Sequence, residues 1–576
     1  MAPDVFFVNE LTAPRFLLSV LRRRPVQVLA LSPILPPLHG LLARLVDWAR
    51  ARGGVSNVVV DLPEFKPMTE NITLVYAADP FRKLESWQAG YFDYPRADRL
   101  DSQYAMAYKL ASGKYFHWKY VSMFLLEALT RKFPERRIFG ISTDLLALAR
   151  AYFGPASLPR LQANRIPRRL INACSLIGVT MAAIGWILMR TRRTVKTRDV
   201  FMAADVLNDP RDKFVFDELS EGGEIVIVPR NPDIERNLIP EMQGYASCPP
   251  RQGFFRARDA AQGAWEVLID GLHLYRVYGA GDPELFYQIA TFPFRRLNYR
   301  ALFIRYRPKF FWGRDDYQVE HILRRGELHR IGAKSLGISH AVQGICILKA
   351  MWRWISFDTY YIWARIIHRH YRDTWSADMT VRLTGSFGFS RAHLTGERRR
   401  EKAILVMSRY VVGDPEAVKL VRAAATAFPD HQIWVQAKAG YAHERLVPDF
   451  IAACAADLEN VTHVTGDPYA LVLRASFVIS DASSIISECL QVGVPTLMFD
   501  ILANHETCLY REFPGLCVTS ADEALTSLTS FIRDGRAYPF ERYGDLYNDG
   551  DQPIYDIIRT DVGLPTRAAA QAVKVA

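Results

Sequence analysis

The sequence predicts an α/β protein built on doubly wound parallel sheets. Two observations predict it. Short apolar runs rich in β-branched and aromatic residues alternate with amphipathic helical stretches along most of the chain. Late in the chain, Phe477–Ser480, a polar turn from Asp481, a helix over Ile485–Val492 and a second apolar run over Pro495–Phe499 spell out strand, turn, helix, strand. Such units belong to parallel sheets with helices on their faces.

Residues 1–155 open the series as an N-terminal α/β region. Val26–Ser32 reads as a strand and Leu38–Arg52 as an amphipathic helix stopped by Gly53-Gly54; Val58–Leu62, Ile72–Ala77 and Arg137–Ser142 read as further strands. A second α/β region spans 199–384. Its strands are Asp199–Ala203, Glu224–Val228, Pro308–Gly313, Ala333–His340, Asp358–Ala364 and Val381–Leu383, with a helix over Val319–Arg330 and a Pro- and Arg-rich loop over 230–260. Thr384-Gly-Ser-Phe-Gly388 marks a boundary, because Gly and Ser cluster between periodic segments. Residues 385–548 form the third region. Its strands are Ala403–Ser408, Gln432–Ala437 and Val461–Val464, interleaved with helices over Asp414–Phe428, Val447–Asp457 and Pro468–Arg474. Asp-Pro opens the first of these helices, Pro suiting a first turn. Residues 549–576 read as a loose tail.

One stretch breaks the globular pattern. Leu170–Met189, within a segment over 156–198, is twenty residues without a charge, the length of a membrane span. Arg165, Arg168 and Arg169 precede it; Arg190, Arg192, Arg193, Lys196 and Arg198 follow it. A spanning helix has one basic cytoplasmic end. Two basic ends fit a helix lying in one leaflet with both flanks on anionic headgroups. A buried core helix is the competing reading.

Composition narrows the function. A net charge of +11 suits an anionic partner, whether nucleic acid, phosphorylated substrate or membrane surface. Nucleic acid is not expected, because the basic residues are dispersed apart from the flanks of the apolar segment. Seven scattered cysteines without a CxxC pair argue for a reducing compartment and against a zinc site. Met1–Leu11 lacks a basic start and a long apolar run, so no signal peptide is expected.

Asp481, Ser483 and Ser484 fall at the carboxyl end of a strand and the start of a helix, where open parallel sheets bind ligands and helix N–H groups favour anions. The competing reading is an ordinary helix cap. The run D-x-S-S-x-x-x-E-x-x-x-x-x-G-x-P, made of Asp481, Ser483, Ser484, Glu488, Gly493 and Pro495, resembles the donor-binding loop of bacterial surface-polysaccharide transferases of the GT-B fold. The nearest of these are the CDP-glycerol glycerophosphotransferase-like and capsular polysaccharide transferase families. RIGAKSLGISHAVQG (Arg330–Gly344), DTYYIWA and VRLTGSFG resemble, in the same order, their strand with a proposed catalytic base and the pieces after it. The resemblance covers about residues 300–530. There are departures: His340 is followed by Ala341, with the glycine delayed to Gly344, and Val435–Gly440 keeps Lys438 without the His-Pro run of the relatives.

The resemblance implies two facing doubly wound domains and a sugar or phosphoalcohol transfer from a nucleotide-activated donor to a glycan or lipid-linked acceptor. It implies His340 as general base, histidine titrating near working pH. Ser408, Arg409 and Lys438, at strand ends, are expected to hold donor phosphate, Arg by a bidentate contact and Lys as a point charge. Ser483 and Ser484 would hold the diphosphate, Glu488 the ribose hydroxyls, and Gly385 and Ser386 would approach the donor at the domain crossing. No cofactor and no metal are expected, and Asp315-Asp316 is read as a helix start. The aromatic run from Trp352 to Trp363 is read as core strand. The expected setting is the cytoplasmic face of a bacterial inner membrane, with anionic lipids and a polysaccharide-assembly complex as partners. Two alternatives stay open: a UDP-sugar 2-epimerase-like isomerase, and a non-catalytic membrane-docked protein with a degenerate transferase fold.

Overall fold

A computed structural model describes residues 3–31, 38–53, 55–57, 102–154, 158, 161, 163, 167–342, 352–395, 399–408, 412–437, 447–481, 483–500, 509–548 and 554–567. The expected strands Val58–Leu62 and Ile72–Ala77 lie outside these residues.

Three parallel sheets carry the fold, as the alternation of elements requires. The first joins β1 (Asp4–Val8), β2 (Val26–Leu31), β3 (Val55–Asn57) and β4 (Ile138–Phe139) in the order β3-β2-β1-β4. It is a separate sheet and does not complete the next one. The long helix α1 (Ser102–Lys132) fastens this region to the rest of the chain. Its Tyr104, Tyr108 and Phe116 share one core with Tyr278, Phe286, Ile322 and Leu323 of the second region. The Tyr108 and Tyr278 rings stack at 3.9 Å between centroids. After α1 comes the apolar helix α2 (Arg168–Arg190), then β5 (Thr191–Arg192).

The second sheet has seven strands: β6 (Arg198–Val206), β7 (Ile225–Pro229), β8 (Ala246–Ser247), β10 (Tyr306–Gly313), β11 (Lys334–Ile338), β12 (Thr359–Ile362) and β13 (Thr380–Leu383), in the order β13-β12-β11-β10-β6-β7-β8. The expected loop over 230–260 is more structured than its proline content suggested. It holds a short helix Pro232–Arg236, capped by the Asn231 side chain, together with β8 and β9 (Phe255–Arg256). Helices α3 (Ala257–Tyr278), α4 (Pro283–Ala290), α5 (Phe292–Arg305) and α6 (Glu320–His329) complete the region. Trp352, Trp354, Tyr360, Tyr361 and Trp363 are buried, as core residues should be.

The third sheet contains β14 (Ala403–Ser408), β15 (Gln432–Ala437), β16 (Val461–His463), β17 (Phe477–Ser480), β18 (Thr496–Phe499) and β19 (Cys517–Val518), ordered β16-β15-β14-β17-β18-β19. Helix α7 (Pro468–Arg474) precedes β17, and α8 (Ile485–Gln491) links β17 to β18. Both larger sheets reverse strand order once, between β6 and β10 and between β14 and β17. That is the doubly wound pattern. The tail is not loose in its first half. Helix α9 (Ile554–Asp561) buries Ile554, Tyr555 and Ile558, and Arg559 donates to the Glu218 carbonyl of the second region.

Candidate functional site

In doubly wound sheets the carboxyl ends of the strands at the order reversal bound the ligand crevice. In the second region these ends deliver a dense set of charges. Asp205 closes β6; Asp209, Arg211 and Asp212 follow it; Arg230 follows β7; Arg314, Asp315 and Asp316 follow β10; His340 follows β11. Arg230 donates to Asp205 (2.9 Å) and to the Tyr317 hydroxyl (2.8 Å). Arg314, 1% exposed, donates to Asp212 Oδ1 at 2.8 Å and lies 3.1 Å from Asp209 Oδ2, its guanidinium 4.5 Å from the Phe387 ring centroid. Burial raises the Asp209 carboxyl, but the hydrogen bond from Arg211 and the charges of Arg314 and Arg211 win and hold it well below the usual range. Burial dominates at Asp212 and pushes it up to about 6.

Asp315 and Asp316 do not start a helix, since α6 begins only at Glu320. Both are buried. Asp315 takes a two-pronged contact from Arg324, at 2.8 and 2.9 Å. Asp316 Oδ2 accepts from the His340 backbone N–H and from the Tyr360 hydroxyl, each at 2.9 Å. Burial outweighs these bonds and pushes Asp316 up to about 7. Asp316 therefore fixes where β11 ends and His340 begins.

The His340 ring stacks on Trp352 (6.0 Å) and meets Tyr317 edge-on (4.9 Å), while its buried Nδ1 has no hydrogen-bond partner among the described residues. The histidine does not titrate near neutrality. Burial first, then the charges of Arg314, Arg230 and Arg211, lower it to about 3. The ring is neutral and can accept a proton, but it is a weak base until those cations are countered.

The third region meets this cluster through the crossing segment. Gly385 adopts φ +76°, and a Cβ there would sit 2.7 Å from Gln491 Oε1, so glycine is required. Gln491 Oε1 accepts from the Ser386 N–H at 2.7 Å, and the Ser386 hydroxyl bonds Glu488 Oε1 at 2.6 Å and accepts from the Gly388 N–H at 2.9 Å. The Tyr469 hydroxyl reaches the same Glu488 oxygen at 3.2 Å and accepts from Arg211 of the second region. Gly385, Ser386 and Glu488 thus form one clamp across the domain crossing. Glu488 is buried rather than a surface helix residue, and its Oε1 is already engaged by Ser386 and Tyr469.

Asp481 is buried at the end of β17, beside the end of β14. Ser483 and Ser484 are half-buried at the start of α8. Ser484 makes no capping bond, while Ser483 Oγ accepts a long bond, 3.4 Å, from the Ile485 N–H. Ser408 ends β14 at the same reversal. Arg409 and Lys438 lie outside the described residues.

A cavity of about 400 Å³ opens beside the cluster, lined by Asp205, Arg230, Asn231, Arg295, Tyr299 and Glu320 among others. The lining residue Arg230 donates to the Tyr317 hydroxyl, and the Tyr317 ring meets His340 edge-on. Lys114, from α1 of the N-terminal region, reaches Gln318 Oε1 at 2.6 Å on its edge, and burial lowers its ammonium to about 8. Sequence reasoning missed Arg211, Arg230, Arg314, Tyr469 and Lys114. The only signal available was that the first three follow apolar strands.

No protein-family model matches the chain, and no curated protein sequence matches it. Solved structures do show similar folds. S. aureus MnaA with UDP aligns over 64% of this chain and 98% of its own, with 9% identity and a TM-score of 0.38. The wall teichoic acid polymerase TagF aligns over 69% and 99%, with 11% identity and a TM-score of 0.37. Acinetobacter baumannii MurG aligns over 63% and 99%, with 13% identity and a TM-score of 0.35.

Proposed function

We propose that the chain is a GT-B-type transferase of bacterial envelope glycan biosynthesis, working at the cytoplasmic face of the inner membrane. It would move a sugar or phosphoalcohol from a nucleotide-activated donor to a surface-polysaccharide or lipid-linked acceptor. One observation carries this reading. The strand-order reversals of two doubly wound domains are tied together by the Arg211–Tyr469–Glu488–Ser386 clamp, with a buried histidine nitrogen that has no partner among the described residues on one side, and Asp481, Ser483 and Ser484 before α8 on the other.

The donor diphosphate would sit at the Asp481–Ser484 turn, held by the two serine hydroxyls and the first N–H groups of α8, with Ser408, Arg409 and Lys438 as further phosphate contacts. The acceptor would occupy the cavity on the second region's side. Its arginines are paired with carboxylates, which suits hydroxyl-rich groups better than free anions. His340 Nδ1 takes the acceptor hydroxyl proton as the new bond to the transferred group forms. The bond to the leaving nucleotide breaks, a nucleoside diphosphate where a sugar moves and a nucleoside monophosphate where a phosphoalcohol moves, and the negative charge goes to that leaving group, where helix N–H groups and hydroxyls stabilise it. Burial is the main cause that holds His340 down; a bound diphosphate facing Arg211 would offset part of the further lowering by the cations, so donor binding would raise the base toward competence. The scheme calls on no metal.

Thermal stabilisation by a panel of nucleoside mono- and diphosphates tests it. The expected result is a melting shift with one base, abolished in Ser483→Ala/Ser484→Ala. His340→Ala should keep that shift and lose transfer. A well-folded protein that responds to no nucleotide leaves the non-catalytic alternative; isomerisation of a UDP-sugar without any acceptor leaves the epimerase.

A further inference from the structure

Helix α2 is neither a free span nor a core helix. Its inner face carries Asn172, Ser175, Leu176, Val179, Thr180, Ala183 and Ile187, all buried. Asn172 Nδ2 donates to the carbonyls of Gly279 (3.0 Å) and Gly281 (3.1 Å), pinning the helix to the turn between α3 and α4. Its outer face exposes Leu170, Ile177, Met181 and Leu188 at helical spacing, with Met181 66% exposed.

The neighbouring α3 repeats the pattern. Trp265 (64% exposed), Leu268, Ile269 and Leu272 form an outer stripe, while Gly263, Val267, Gly271 and Leu274 face inward. The two helices run antiparallel in close contact. A Cβ on Gly271 would lie 2.9 Å from Leu176 Cδ1, and one on Gly263 would lie 3.9 Å from Ile187 Cδ1. The pairing of β5 with β9 ties the C-terminal end of α2 to the N-terminal end of α3. Both helices pack against α4, and both meet α5 in a small cluster of Ile187, Val267, Leu297 and Ala301, with Trp186 edge-on to Phe294.

Charge is arranged around this apolar surface and not within it. Exposed Arg192, Arg193, Lys196, Arg256 and Arg258 gather at one end, and exposed Arg169 and Arg276 at the other. Of the three acids of α3, Asp259 lies in the first turn beside Arg256 and Arg258, and the other two are paired with arginines of α5. Glu266 takes Arg300 at 2.6 Å, and Asp270 takes Arg296 at 3.2 Å.

We propose that α2 and α3 together are a two-helix platform that lies in the plane of an anionic lipid bilayer, its apolar stripes in the acyl boundary and its basic ends on the headgroups. Two features select this occupant. The cations sit at both ends, as one negatively charged surface requires and a spanning orientation does not. The polar, buried inner face of α2 belongs to a water-soluble domain and cannot turn toward lipid without breaking the Asn172 bonds. All of these residues lie outside the cleft, and the test uses no nucleotide, so this inference and the transferase reading fail separately.

The test is co-sedimentation of the full chain with vesicles of phosphatidylcholine alone or mixed with phosphatidylglycerol. Binding is expected to the mixed vesicles and to weaken with salt. Met181→Glu/Trp265→Glu should reduce it at least tenfold without changing the melting temperature, because both side chains are exposed. Arg192→Glu/Arg193→Glu should do so for mixed vesicles alone. In inverted bacterial membrane vesicles, Arg169→Cys and Arg193→Cys should both react with an impermeant maleimide, above the parent protein, on the cytoplasmic side. Unchanged sedimentation of the apolar-face variant, labelling of the two ends from opposite sides, or a dimer that the apolar-face substitutions dissociate without any vesicle binding would each overturn the proposal.

Discussion

Arg314→Met removes the guanidinium that satisfies Asp212 at the base of the cleft. Both groups are fully enclosed, and the bond is 2.8 Å. Stripping one partner from a buried ion pair costs about 3–5 kcal/mol when the other charge is left behind. Asp212 has an escape, since its carboxyl already stands at about 6 and can take up a proton instead. The cost therefore depends on pH, with a sign that can be worked out. A folded value above the unfolded one means that the group's contribution is fully present below the unfolded value and is lost as pH rises through the folded one. Without Arg314 the folded value rises further. Below pH 6 both proteins hold Asp212 protonated, and the variant lacks the Asp212 hydrogen bond, about 1 kcal/mol, together with the Asp209 contact, a loss that stays constant over this range because Asp209 is ionised throughout. Above pH 6 the wild type ionises against Arg314 and the variant does not, so the deficit grows by roughly 1.4 kcal/mol per pH unit. Between pH 6 and 8 it should increase by up to about 3 kcal/mol. Urea unfolding followed by tryptophan fluorescence at pH 5.5 and 8 measures this, with Asp212→Asn and the double variant closing the cycle. In the Asp212→Asn background Arg314→Met should show little pH dependence. A deficit equal at both pH values, or unchanged in that background, would refute the pairing as its source.

The imidazole resonances of His340 should stay at their neutral positions from pH 8 down to 4.5, and should begin to titrate at higher pH when a nucleoside diphosphate binds; NMR of selectively labelled histidine reads both. Because the folded value, about 3, lies below the unfolded one, stability falls as pH drops below about 6.5, so His340→Gln should gain roughly 2–3 kcal/mol at pH 4.5 and nothing at pH 8, by urea midpoint. Gly388→Ala places a Cβ 2.4 Å from Tyr469 Cε1 and 2.7 Å from Glu488 Oε1, and should cost about 1–3 kcal/mol and weaken nucleotide binding by opening the clamp, read by calorimetry. Ser386→Ala loses the hydroxyl that bridges Glu488 and Gly388, an expected loss of about 1–2 kcal/mol in thermal melting, with Ser386→Thr recovering part of it.

Local pattern was enough to place most strands within two residues. Ala403–Ser408, Gln432–Ala437 and Phe477–Ser480 appear with the bounds that their apolar runs suggest, because buried parallel strands need continuous apolar side chains and little else. The same logic places Ser408, Asp481, Ser483, Ser484 and His340 at strand ends. What local pattern does not contain is partner identity. Tyr469 and Arg211 are 258 residues apart, and nothing in either neighbourhood names the other. Glu488 sits one turn into α8, and nothing local to it shows that Ser386 of the crossing segment will meet its carboxylate. The electrostatic state of His340 is set first by its burial and then by Arg314, Arg230 and Arg211, which converge from three different strand ends, so a histidine chosen for its usual acidity turns out to lie far from it. The tail from about Asp549 reads as loose, yet Ile554, Tyr555 and Ile558 find a ready-made surface to cover. The apolar run at 170–189 announced a helix, while only packing against α3 decided that one face of it would be left outward. Chain-local hydrophobic periodicity determines elements and their order; which charges meet, and which apolar faces stay open, is decided only when distant elements close on one another.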